Sequence, residues 1–140
     1  MKKILIPILF MLCLNIVSAQ GILGKWKTID DQTGKEKSIV EIYEHNGKIY
    51  GKIIKLINPK KKNPLCNKCK GENKGKPILG MVIIKGLDKV DDVYEGGTIL
   101  NPTSGKVYKC RLKLETKTKL QVRGYISLFF KTQYWIRIAD

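Results

Sequence analysis

Apolar and polar residues alternate with a period of two through most of this chain, and short turns cut the runs. Tyr108, Cys110, Leu112 and Leu114 share one face of a segment whose other face carries Lys109, Arg111 and Lys113. Leu120, Val122, Gly124 and Ile126 stand in the same way against Gln121, Arg123 and Tyr125. Such alternation marks a strand with one dry and one wet face. The segments 24–28, 37–44, 48–57, 81–84, 94–100, 106–115, 119–126 and 133–138 read as strands. Asn46-Gly47 between two of them is a strong hairpin signal, because both residues tolerate the positive φ of a type I′ turn. Asp31-Gln32-Thr33-Gly34, Asn101-Pro102-Thr103-Ser104-Gly105 and Glu115-Thr116-Lys117-Thr118 read as further turns.

About eight short antiparallel strands leave two exposed edges in an open sheet. Closure removes them, and eight strands leave room for packed side chains or one small ligand. The expected fold is therefore all-β, an antiparallel up-and-down barrel of about eight strands. A two-sheet sandwich is the alternative. One interval breaks the rhythm. Residues 58–77 are rich in Lys, Asn, Gly and Pro and hold Cys66 and Cys69. A loop of that length is functional or mobile more often than not. The stretch from Pro77 to Ile84 fits a buried strand or a short helix, and periodicity does not separate the two.

The N-terminus has a different character. Lys2 and Lys3 precede an uncharged apolar run from Ile4 to Val17, and Val17-Ser18-Ala19 offers small residues for cleavage. This order reads as a secretory signal peptide over residues 1–19, leaving 20–140 as a single domain, periplasmic or secreted. A retained anchor is the competing reading, but the run is shorter than the roughly 18–20 residues that span a bilayer. Leu12 before Cys13 argues against lipoprotein processing. No later segment is long and apolar enough to cross a membrane as a helix.

The full chain carries a net charge of +15, and removal of Lys2 and Lys3 leaves +13. A basic exported protein could meet anionic lipid, lipopolysaccharide, acidic glycan or nucleic acid. The lysines are spread from Lys25 to Lys131 among apolar residues, as on a solvated strand face. Lys60-Lys61-Lys62 is the densest local patch. No aromatic RNA-binding strand, recognition helix or zinc-finger spacing is present, so nucleic acid is not an expected partner.

Few residues suggest chemistry. Cys66 and Cys69 in an exported chain read first as a disulfide, although a bridge closing so short a loop stabilises little. A redox pair needs a lowered thiolate pKa, and no helix follows Cys66 to provide it. Cys66, Cys69, Cys110 and His45 would together suit tetrahedral zinc, but only by count. Cys110 sits on the apolar face of its strand and reads as a buried free thiol. His45, the only histidine, adjoins a hairpin turn. The carboxylates Glu41, Glu44, Asp91, Asp92 and Glu95 show no spacing that pairs them. Nucleophile elbows, phosphate loops and metalloprotease helices are missing. The expectation is no catalysis, no cofactor and no metal.

All six tyrosines fall on expected strands. Tyrosine buries a large ring and keeps one polar handle. Tyr43, Tyr50, Tyr108 and Tyr134, with Arg123 as a cationic member, are candidates for the lining of a barrel that holds a small apolar or amphipathic ligand. The plainer reading is that tyrosine favours strands, and that Arg123 faces solvent.

The ordered set Gly24-Lys25-Trp26, Cys66-x-x-Cys69-x-Gly71, Pro77-Ile78-Leu79-Gly80-Met81, Gly96-Gly97-x-Ile99-x-Asn101-Pro102, Leu120-x-Val122-Arg123-Gly124-Tyr125 and Gln133-x-Trp135-x-Arg137 resembles the DUF2147 family of exported bacterial proteins of unknown function. The resemblance implies export from a Gram-negative bacterium and carries no catalytic residues with it. Gly-x-Trp on the first strand and an arginine near the end of the last also look like the lipocalin signature. That likeness implies Trp26 covered by Arg137, or by Arg123, closing one barrel end by cation–π contact. Alternatively, Trp26 and Trp135 are simply core residues. Three functions follow as expectations. The first is a ligand-binding barrel with the Cys66–Cys69 loop as a lid at its mouth. The second is a basic protein of the envelope surface that binds anionic lipid, lipopolysaccharide or glycan. The third is a thiol–disulfide or metal-site protein.

Overall fold

The computed structural model describes residues 21–139, so the predicted leader lies outside the described residues. Eight strands follow one another: β1 (Gly24–Ile29), β2 (Glu36–His45), β3 (Lys48–Leu56), β4 (Val82–Val90), β5 (Val93–Asn101), β6 (Lys106–Thr116), β7 (Lys119–Ile126) and β8 (Phe129–Arg137). Each is hydrogen-bonded to the next, and β8 returns to β1, closing the barrel. All the pairings are antiparallel. Among the described residues the one helical turn is the 3₁₀ segment Gly71–Asn73, inside the β3–β4 loop.

Two elements differ from the sequence reading. β4 runs to Val90, past Gly86, whose φ of +71° bends the strand where a side chain would be strained. β8 begins at Phe129, leaving Ser127 and Leu128 as a tight turn; Ser127 takes φ +52° there. Asn46 and Gly47 both hold positive φ, as the β2–β3 hairpin requires.

The register assigns each side chain to a face. Trp26 pairs with Val40, Val40 with Ile53 and Ile42 with Gly51; Gly51 pairs with Ile84 and Ile84 with Ile99. The inward set continues through Tyr108, Cys110, Leu112, Val122, Leu120 and Trp135. Most of these residues are fully or nearly fully buried and form one core cluster. The inward-facing glycines leave no hollow. A Cβ on Gly51 would press on Ile84, and one on Gly124 would press on the Tyr108 side chain. Both spaces are already filled by neighbours, so the core approaches the close packing of protein interiors.

An up-and-down barrel has two ends. The base carries residues 21–23 and the β2–β3, β4–β5 and β6–β7 turns. The mouth carries the β1–β2, β3–β4, β5–β6 and β7–β8 connections. The β1–β8 ladder has only two register pairs, Trp26 with Arg137 and Lys27 with Ile136, whereas β7–β8 has eight.

Candidate functional site

The base is shut by Arg137. Its guanidinium lies 4.3 Å from the centroid of the Trp26 ring. Nε donates to the Lys117 carbonyl at 2.7 Å, Nη1 to Leu23 at 2.9 Å and Nη2 to Gly21 at 2.7 Å. One planar side chain thus ties the N-terminal segment, the β6–β7 turn and the core tryptophan together. Arginine suits this place because its donors fan out in a fixed plane. Beneath it, Trp26 Nε1 donates to the Ile22 carbonyl at 2.8 Å, which draws Ile22 into the core.

The mouth is held differently. Near the mouth, the β1 side of β8 faces the β1–β2 turn instead of a paired strand. Gln133 bridges the gap. Its Nε2 donates to Asp31 Oδ2 at 2.6 Å, while its Oε1 accepts from Trp135 Nε1 at 3.2 Å. A string of polar contacts therefore runs from an exposed turn to a buried core ring. The turn itself is braced. Asp30 Oδ1 accepts from the backbone N–H groups of Thr33 and Gln32, and these bonds hold the Asp30 carboxyl below its usual range. Thr28 and Ser38, both inward and buried, share a hydroxyl hydrogen bond of 2.6 Å.

Of the five residues expected to contact a ligand, the register puts only Tyr108 inside. Tyr43 and Tyr50 are cross-strand partners on the outer face, stacked at 5.9 Å with the His45 ring edge-on to Tyr50. Tyr134 lies outside beneath the Lys119 ammonium. Arg123 is outside too, opposite Arg111. The reason is parity: Tyr43 and Tyr50 flank the inward Ile42 and Gly51, and Arg123 flanks Val122 and Gly124. Tyrosine content alone could not give the face.

Cys66 and Cys69 are joined as a disulfide. Both are buried, and Cys66 Sγ lies 3.3 Å from the Pro102 carbonyl oxygen. The β3–β4 loop closes on itself through the Leu65–Pro77 bridge and leans on the outer face of β4 and β5 beside the mouth. There it meets the outward Ile83 and Leu100, and Glu72 pairs with the outward Lys85 at 3.6 Å. The loop packs against the wall and against the β5–β6 turn at the rim of the mouth. Gly105 allows this approach, because any Cβ there would overlap the Lys68 carbonyl. A thiolate attacking this disulfide would have to displace the loop first.

Cys110 is inside the barrel, and burial pushes its thiol up to about 12. His45 is outside at the base. The Cys₃His combination is thus dispersed, and among the described residues no group of three or more potential metal ligands converges.

The sequence reading missed one polar cluster. Arg111 and Arg123 are direct cross-strand neighbours on the outer face of β6 and β7. Tyr125 sits beside them. Desolvation raises its pKa, but hydrogen bonds from Arg111 and Arg123 outweigh this and leave it below the usual phenol value. Arg123 also donates to Thr132 Oγ1 at 3.0 Å and lies over Phe130 at 5.0 Å. Arg111 Nε is buried without a hydrogen bond; Glu95 Oε2 is 3.9 Å away. The available signal was scarcity, since only three arginines stand among 27 basic residues.

An eight-stranded up-and-down barrel, with Gly-x-Trp on β1 and a terminal arginine laid over the tryptophan, defines a lipocalin-like protein. The chain belongs to the family of uncharacterized proteins conserved in bacteria known as DUF2147, whose model matches residues 24–137. Protein HP1028 from the human pathogen Helicobacter pylori, described as belonging to the lipocalin family, is similar in structure. Its TM-score is 0.74 at 27% sequence identity, covering 84% of this chain and 83% of that one. No curated protein matches the chain.

Proposed function

We propose that this protein is an exported binding protein that takes up a small apolar or amphipathic molecule and performs no chemistry on it. The observation that carries this reading is the difference between the two ends. The base is locked by Arg137 through three carbonyls and a ring face. The mouth half of the β1–β8 gap is bridged by the Gln133–Asp31 hydrogen bond. Entry is at that gap. Release of Gln133 frees Trp135, and rotation of Trp135 and Tyr108 makes room among the apolar side chains around Cys110 and Val122. Small-molecule pockets in general have an apolar wall with few polar groups. A buried disulfide supports an oxidising compartment outside the cytoplasm, in keeping with the leader read from residues 1–19.

Native mass spectrometry of protein purified from its own cell envelope tests the proposal. The expected result is a bound mass that leaves on denaturation, with saturable quenching of Trp135 fluorescence when the extracted compound is returned. Gln133→Leu, which lacks the polar latch, should speed uptake. An empty protein with no saturable response to lipid extracts would refute the reading.

A further inference from the structure

The β7–β8 hairpin ends in a bare apolar tip. Leu128 is 92% exposed and Phe129 79%, with Ile126, Phe130 and Val107 also exposed around them. Single exposed apolar residues mean little, but a contiguous group at a projecting turn marks a contact surface. Cations stand on both sides of the tip. On one side lies a concavity of about 650 Å³ between the disulfide loop and the barrel wall, lined by Lys68, Lys70 and Lys106. On the other, Arg111 and Arg123 lie side by side on the outer wall. The tip pair Ile126–Phe129 and the pair Arg123–Thr132 are three residues apart along the strands, about 10 Å at roughly 3.3 Å per residue. Interfacial elements bury their apolar part by about 5–10 Å. With the tip among acyl chains, the two guanidinium groups therefore stand at the level of the phosphates.

We infer that the mouth end of this barrel docks on anionic phospholipid bilayers, with Leu128 and Phe129 inserted and Arg111 and Arg123 gripping a headgroup phosphate. Arginine is suited to this role because its planar donors match phosphate oxygens in pairs. Arg111 Nε makes no hydrogen bond among the described residues, and its ion pair with Glu95 is long, at 3.9 Å. Phe130 beneath Arg123 and Tyr125 beside both hold the pair in place. The inference does not depend on whether the interior takes a ligand.

Co-sedimentation of the protein with vesicles tests it. The protein should bind phosphatidylcholine vesicles that contain phosphatidylglycerol and should leave pure phosphatidylcholine vesicles free. Leu128→Ser with Phe129→Ser should weaken partitioning about tenfold or more, and Arg111→Gln with Arg123→Gln about tenfold. Both pairs lie outside the barrel core, and unchanged circular dichroism would verify the fold. Phe129→Trp should shift its emission to the blue on binding and be quenched by brominated acyl chains. Inorganic phosphate should not release the protein. Any of three results would overturn the inference: no vesicle binding at low salt, binding that the Leu128 and Phe129 changes leave intact, or dimerisation through the hairpin without vesicle binding.

Discussion

Arg137→Ala is the sharpest test of how this barrel is closed. The side chain donates to three backbone carbonyls and covers the Trp26 ring. A hydrogen bond from a charged group contributes about 1.5–3 kcal/mol net, and a cation–π contact about 0.5–2 kcal/mol. The lower ends apply, because water can reach the carbonyls once the arginine is gone. The expected loss is about 5 kcal/mol, which lowers Tm by roughly 20 °C for a domain of this size. Arg137→Lys keeps the charge, but one ammonium cannot reach three carbonyls at once, so about half the loss should remain. Urea unfolding followed by tryptophan fluorescence measures both, and amide exchange at residues 21–24 shows whether the N-terminal segment is released. A loss under about 1 kcal/mol for Arg137→Ala, with residues 21–24 still protected, would refute the reasoning. Closure would then rest on core packing alone.

Four shorter predictions follow from other contacts. Ellman's reagent should leave Cys110 unmodified in the folded protein at pH 8 and react with it after unfolding. Its thiol is raised from 9.0 to about 12, so the stability of the wild type relative to Cys110→Ala should be constant below pH ~9. It should then fall by about 1.4 kcal/mol per pH unit up to pH ~12, as the unfolded thiol ionises first; a flat difference would contradict the burial. Replacing Cys66 and Cys69 together with Ser should cost about 2 kcal/mol or less, since the bridge spans a separation of three residues, and should raise amide exchange in residues 58–80 far more than in the strands. Gly105→Ala should produce the same loop exposure with the disulfide intact, because the new Cβ meets the Lys68 carbonyl; unchanged protection would show the approach to be looser than drawn. In an ultraviolet titration Tyr125 should ionise below the usual phenol range, and Arg123→Gln should move it back up.

Much of the architecture was legible because alternation carries it. β6 and β7 were bounded within a residue or two by the run from Lys106 to Ile126, and Asn46-Gly47 placed the first hairpin through its backbone requirement. The start of β8 was not legible. Leu128, Phe129 and Phe130 are consecutive apolar residues with no polar alternation, and the turn uses Ser127 at a positive φ where Gly or Asn is the usual signal. β4 was cut short because Gly86 and Asp88 interrupt its pattern, though both lie within the strand. The pairing of Trp26 with Arg137 came from the lipocalin likeness, which places an arginine near the end of the last strand; periodicity alone does not assign it. The site residues fared differently. Tyr43, Tyr50 and Tyr134 looked like lining because of their chemistry, yet a strand's parity is set by its neighbours, and Ile39-Val40-Glu41-Ile42-Tyr43 is apolar on both faces. The Arg111–Arg123 pair depends on β6–β7 register, a long-range property that neither segment contains alone.

The two-rung join between the first and last strands also dictates when the ring can form. Every other ladder links neighbours in sequence and can zip up as soon as its hairpin exists, but this one must wait until β8 has emerged and found β1 over the full length of the domain. Such a distant pairing is slow to nucleate. Until it happens, β1 and the free edge of β8 remain open to strands from other molecules, so a chaperone acting on this chain would do most good by shielding those two segments.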